Sequence, residues 1–154
     1  MPSTRGRPST TRPDSFDVLT PERCLGLLAV TTVGRVAFVG AHGLEVLPVN
    51  YRVVGGLVMV RTSARGTLSE LASYAGEVVF ESDYHSSVTR EGWSVVVRAT
   101  SSAVSDPAVL EGPDLARLVP WAMGVHDLLL ALRPHQVTGR RISWLDADDV
   151  VIPD

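Results

Sequence analysis

The stretch from Gly34 to Ser63, "GRVAFVGAHGLEVLPVNYRVVGGLVMVRTS", constrains the fold more than any other part of the chain. Its three β-rich runs follow a period of two and are separated by His42-Gly43 and Gly55-Gly56, each a tight hairpin turn. Three strands joined this way form an antiparallel meander. The β character returns in "EVVFESDY", in "GWSVVVRATSSAVSD" and in "HDLLLALRPHQVTGRRISW", the last bent at Pro134 and Gly139. Six strands with short connections predict a mainly β fold, a closed or split antiparallel barrel, rather than a parallel sheet.

The helical signals are short and peripheral. Thr20-Pro21-Glu22 supplies a hydroxyl cap, a proline at the first helical position and an acid in the first turn, with Cys24, Leu27 and Leu28 on the apolar side. Leu68, Leu71 and Ala72 place a second helix in "TLSELASY", stopped by Gly76. Residues 107–119 read as a third, ended by Pro120. Residues 1–15, "MPSTRGRPSTTRPDS", carry Met1 as their only large apolar side chain and read as a disordered basic tail. The remainder, 16–154, is expected to be one domain, since 154 residues with 45% hydrophobic side chains supply one sizeable core.

Charge and residue usage narrow the chemistry. The chain has 14 basic and 17 acidic groups; the first thirteen residues hold Arg5, Arg7 and Arg12 and no acid, and without them the balance is 11 against 17, net −6. An acidic body argues against a nucleic-acid groove. All basic residues are arginine. Lysine chemistry, from Schiff bases to the P-loop, is thereby excluded. Cys24 is the only cysteine, which excludes an intrachain disulfide and any multi-cysteine metal cluster, and it reads as a buried small hydrophobe. His42, His85, His126 and His135 show no metal-ligand spacing, and no catalytic residue is evident. No apolar run reaches the roughly 18 residues of a membrane span and no signal-peptide core is present, so a cytoplasmic location is expected.

The polar stretch Arg61-Thr62-Ser63-Ala64-Arg65-Gly66-Thr67 joins a strand to a helical pattern. Unpaired amides at such a turn, two guanidinium groups and three hydroxyls suit a phosphate. The same residues also read as a helix cap flanked by two solvated arginines.

In their order, "LTPERCLGLLAVTTVGRVAFV", "LPVNYRVVGGLVMVRTS", "GEVVFESD", "GWSVVVRATSSAVSD" and "LRPHQVTGRRI" resemble the pyridoxamine 5′-phosphate oxidase-like flavoproteins, in particular the small split-barrel branch. The resemblance implies a homodimer of six-stranded barrels with FMN in a groove where the subunits meet. By position, Pro48, Val49 and Asn50 would lie against the flavin ring. Arg61, Thr62, Ser63, Arg65 and Thr67 would surround the phosphate. Trp93 and Ser94 match the Gly-Trp-Ser strand start, near the cofactor or the dimer contact, and Arg140 and Arg141 match a basic pair reaching in from the partner chain. Core packing for Trp93 and a solvated pair for the arginines stand as alternatives. Thr67 replaces a lysine that commonly contacts phosphate, and Arg65 is expected to take over its charge. The implied activity is an FMN-dependent oxidoreductase of an unidentified small molecule. A flavin-sequestering protein without turnover, a deazaflavin-dependent reductase and an empty interaction barrel are the competing classes.

Overall fold

The computed structural model of the chain describes residues 15–119 and 123–143. The expected disordered tail, apart from Ser15, the helix end at Pro120 and the last eleven residues of the expected domain lie outside them.

The meander forms as the sequence predicts: β2 (Val33–Gly40), β3 (Gly43–Val54) and β4 (Leu57–Thr62) follow in antiparallel register. Gly55 and Gly56 have φ of 56° and 79°, so the second turn needs two residues in the left-handed region, which favours glycine. β5 (Val78–Ser86) and β6 (Glu91–Ala103) form the next hairpin, and β7 (Leu128–Ser143) closes the sheet by pairing with both β6 and β4. The barrel is narrowly joined on one side, where β2 and β5 share three residue pairs. β5 extends through His85, so this histidine is not in a loop.

Two details differ from expectation. A seventh strand, β1 (Ser15–Leu19), pairs with Gly139–Ser143 of β7. The reason is the length of β7: β4 covers its edge only from Leu128 to Leu132, and β1 takes the edge farther on. Residues 107–119 do not form one helix but two short turns, α2 (Pro107–Leu110) and α3 (Pro113–Ala116), separated at the extended Gly112. Pro113 causes the break, because proline disfavours helical geometry in the residue before it. Of the two bends expected in β7, at Pro134 and Gly139, the ladder is irregular only beside Pro134 and continues in register through Gly139. Arg98 faces Gln136 and Ala99 faces Pro134, leaving His135 as the extra residue of a bulge.

The helix opened by Thr20 is α1 (Pro21–Leu28), with the Thr20 side chain accepting the Arg23 N–H. It seals the barrel with Cys24 and Leu28, both fully buried. Gly139 permits this approach, because a Cβ there would stand 2.5 Å from Cys24 Sγ. The Tyr51 hydroxyl donates to the Leu28 carbonyl at 2.8 Å and receives the Thr31 hydroxyl at 2.5 Å, satisfying a carbonyl at the helix C-terminus inside the core. Tyr51 stacks edge-on to Phe80, among Val36, Val58, Val60, Val95 and Leu130. A second apolar cluster lies outside the barrel, where Leu115 and Leu118 cover Met59, Leu129 and Ala131.

Candidate functional site

Strand alternation sorts the candidate residues before any ligand is considered. On β3, Val49 and Tyr51 point inward and are buried, whereas Pro48, Asn50 and Arg52 point outward. Val49 therefore offers a ligand its backbone alone. Arg61 lies on the outer face of β4, opposite Leu129 and one ladder step beyond the Tyr51–Val60 pair, which sets it beside Asn50. Arg52 is its diagonal neighbour.

Arg52 and Arg61 share an unusual state. The Nε of each is enclosed and finds no hydrogen-bond acceptor among the described residues. A buried donor left unpaired is unfavourable by about 1–3 kcal/mol. Both side chains are half-buried, so an anionic group brought from outside would meet the solvent-facing part of each rather than its enclosed Nε. Arg52 escaped the sequence reading because "NYRVV" reads as an ordinary strand; counting its alternation from Pro48 would have put it on the same face.

The polar turn is less open than its sequence suggests. Arg61 and Thr62 end β4, and a 3-10 helix of seven residues, Thr67–Ser73, begins without a side-chain cap. It is no α-helix, and the amides before it are not free donors. The Ala64 N–H is held by Asp127 Oδ1 at 2.8 Å, that of Arg65 by Ser63 Oγ at 3.2 Å, and that of Gly66 by the Ser63 carbonyl at 3.1 Å. Three amides of the expected nest are thus already satisfied from within the chain. What the turn presents to a ligand is the exposed Arg65 and Thr67 side chains next to Arg61 and Thr62. Asp127 is held below the usual carboxylate range, first by the Ala64 amide, then by its own backbone amide and the charges of Arg65 and His126, against slight burial.

The remaining four candidates lie at the far end of β7 and divide between two faces. Ser94 pairs with Asp83 and Arg140 on the outer surface. Trp93 pairs with Tyr84 and Arg141 and faces inward, half-buried against the core at the barrel mouth. There Leu19, Leu27, Tyr84, Trp93, Arg23 and Arg141 are among the residues lining a cavity of about 380 Å³, with Arg141 3.6 Å from Glu91.

Within one chain the two groups do not converge. Leu129, the partner of Arg61, and Arg140 are 140 − 129 = 11 residues apart on β7, roughly 35 Å of strand. Between Asn50 and Ser94, on the other side of the ring, Arg35 bridges Glu81 at 2.9 Å and Asp83 at 2.8 Å over a convex surface. Next to Pro48 that surface becomes apolar and exposed, at Val39 (62%), Leu44 (75%) and Val46 (58%). Among the described residues no cluster of three or more His, Cys, Asp or Glu could hold a metal ion, and no helix is long and apolar enough to cross a membrane.

Residues 20–141 match the sequence profile of the family described as pyridoxamine 5′-phosphate oxidase. The chain belongs to this family. An uncharacterized protein of Mycobacterium tuberculosis is 37% identical over 129 residues, covering 79% of this chain and 82% of that protein. The crystal structure of a Corynebacterium glutamicum protein proposed to be a pyridoxamine 5′-phosphate oxidase is 27% identical, with a TM-score of 0.72 over 85% of this chain and 96% of that one. The FAD binding protein from Mycobacterium smegmatis is 28% identical, with a TM-score of 0.67 over 82% of this chain and 98% of that one. Membership agrees with the split-barrel topology, and of these three proteins the one from Mycobacterium smegmatis binds FAD.

Proposed function

We propose that the protein is a homodimeric flavoprotein that holds FMN between its subunits and acts as an oxidoreductase on a small organic molecule. The observation that carries this reading is the outer face of β2 and β3. An exposed apolar strip runs through Val39, Leu44 and Val46 into Pro48 and Asn50, and ends at Arg52 and Arg61, whose Nε atoms have no acceptor among the described residues. An apolar patch of this kind on a sheet face favours association, and its continuity with two cations favours a ligand that is flat and apolar at one end and anionic at the other. A second copy against the strip would convert a convex surface into a crevice. It would also supply Ser94 and Arg140, which one chain cannot bring to Arg61.

In that crevice Arg52, Arg61 and Arg65 neutralise the phosphate, Thr62 and Thr67 offer hydroxyls, and Pro48 with the backbone of Val49 forms an apolar wall beside Asn50. A flavin, when bound, supplies the hydride and electron chemistry. The protein's part is to orient it, to exclude water from its face and to leave room for a substrate. The FAD of the Mycobacterium smegmatis relative makes FAD the alternative ligand of the same face. Purified protein should be yellow, with a flavin absorbance that is bleached by a reductant and restored by an accepting substrate. Flavin that binds but is never turned over by any reductant would favour the sequestering role, and colourless protein that takes up no flavin would remove the reading.

A further inference from the structure

The polar turn already carries an anion of its own. The last pair between β4 and β7 is Thr62 with Leu128, so the register sets Asp127 one step farther on, opposite Ser63. From there its carboxylate takes the Ala64 N–H across 63 residues of sequence. Asp127 itself is exposed and precedes the first residue of β7, so the neighbouring ladder brings it to the turn and the Ala64 amide holds it there. The N–H that the turn would offer to a phosphate is therefore held by a carboxylate that also feels the charge of Arg65. A phosphate arriving at Arg61 and Arg65 meets this carboxylate as a like charge. It must either displace Asp127 from the amide or bind next to it.

We propose that Asp127 is a specificity residue that weakens the hold of this turn on a phosphate monoester and so narrows the preference for FMN over unphosphorylated flavin. The inference rests on the flavin reading above, with the phosphate at residues 61–67. It also bears on the missing lysine, because Thr67 leaves Arg52, Arg61 and Arg65 to balance both a dianionic phosphate and Asp127. A flavin whose phosphate is a singly charged diester is penalised less, since the repulsion scales with charge.

The test compares the wild type, Asp127→Asn and Asp127→Ala by calorimetric titration with FMN, riboflavin and inorganic phosphate at low and high salt. Asn retains a carbonyl oxygen for the Ala64 amide and removes only the charge, so the turn stays built. The expected result is FMN binding tightened on the order of fivefold at low salt in both variants, less at high salt, with riboflavin unchanged. Inorganic phosphate should compete with FMN more effectively in the variants. Unchanged or weaker FMN binding in folded Asp127→Asn overturns the proposal while leaving the flavin reading intact. An equal gain for riboflavin would also overturn it, because the effect would not pass through the phosphate. Failure of all three proteins to bind any flavin would instead bring down the flavin reading, and the proposal with it.

Discussion

Replacing Arg61 by methionine should separate the stability of the free protein from its affinity for the cofactor. Methionine keeps an unbranched apolar stem against the sheet and removes an enclosed Nε that has no acceptor among the described residues. Relief of one unpaired buried donor is worth about 1–3 kcal/mol, offset by lost packing of the guanidinium, so the free variant should be unchanged or more stable by about 1 kcal/mol. For a domain of this size that is a rise in Tm of roughly 2–4 °C. FMN should lose a charge-assisted hydrogen bond of about 1.5–3 kcal/mol, a weakening of roughly ten- to a hundredfold. At a flavin concentration one hundred times the wild-type Kd, FMN stabilises the wild type by about 2.7 kcal/mol, and the variant by only about 0.4–1.4 kcal/mol. Thermal unfolding with and without FMN, at one protein concentration and with riboflavin as control, reads both effects. A free variant destabilised by more than about 1 kcal/mol, with an undiminished FMN shift, would show that Arg61 is structural.

Three other outcomes follow from the packing. Light scattering should give roughly twice the 16.5 kDa chain mass, and Leu44→Asp with Val46→Asp on the exposed strip should shift the protein to the monomer without unfolding it. A wild type that is monomeric at micromolar concentration would contradict this. Gly139→Ala should destabilise by about 1–3 kcal/mol through its contact with Cys24 Sγ, and Cys24→Ala in the same chain should recover part of the loss; additive losses would refute the contact. Burial raises the Tyr51 phenol, against its hydrogen bonds with Ser82 and Thr31, and burial likewise raises the Cys24 thiol. Because the folded state holds the Tyr51 proton more tightly, stability should be full below the unfolded phenol value of about 10 and fall above it. With no lysine to titrate in that window, Tyr51→Phe should flatten the decline in a pH series of denaturation midpoints.

The barrel was legible because its signals are local. Alternation and paired glycines define the meander, Thr20-Pro21-Glu22 opens α1, and Pro134 marks the bend beside the β7 bulge. β1 was missed because five residues next to a polar tail show no period until β7 provides an edge. The helix over 107–119 failed at Pro113, whose effect on Gly112 outweighed the apolar spacing. For the site, residue types could be read and their acceptors could not. The amides after Ser63 look like open donors in sequence, yet Asp127 reaches the first of them only because β4 and β7 are neighbours. Alternation alone puts Arg52 on the face of Pro48, but its place diagonal to Arg61 needed the register, and which of Trp93 and Ser94 faces inward needed β6 to have an inside and an outside.

The central claim is that the outer face of β3 and β4 receives a flavin through its phosphate as well as its ring. Equilibrium titration of the purified dimer with FMN and with riboflavin, followed by flavin fluorescence, tests this most directly. The account predicts saturation at about one flavin per subunit, with FMN tighter than riboflavin and that margin abolished when Arg52 and Arg61 are both replaced by methionine. Equal affinity for the two flavins in the wild type, or binding of neither, would contradict it.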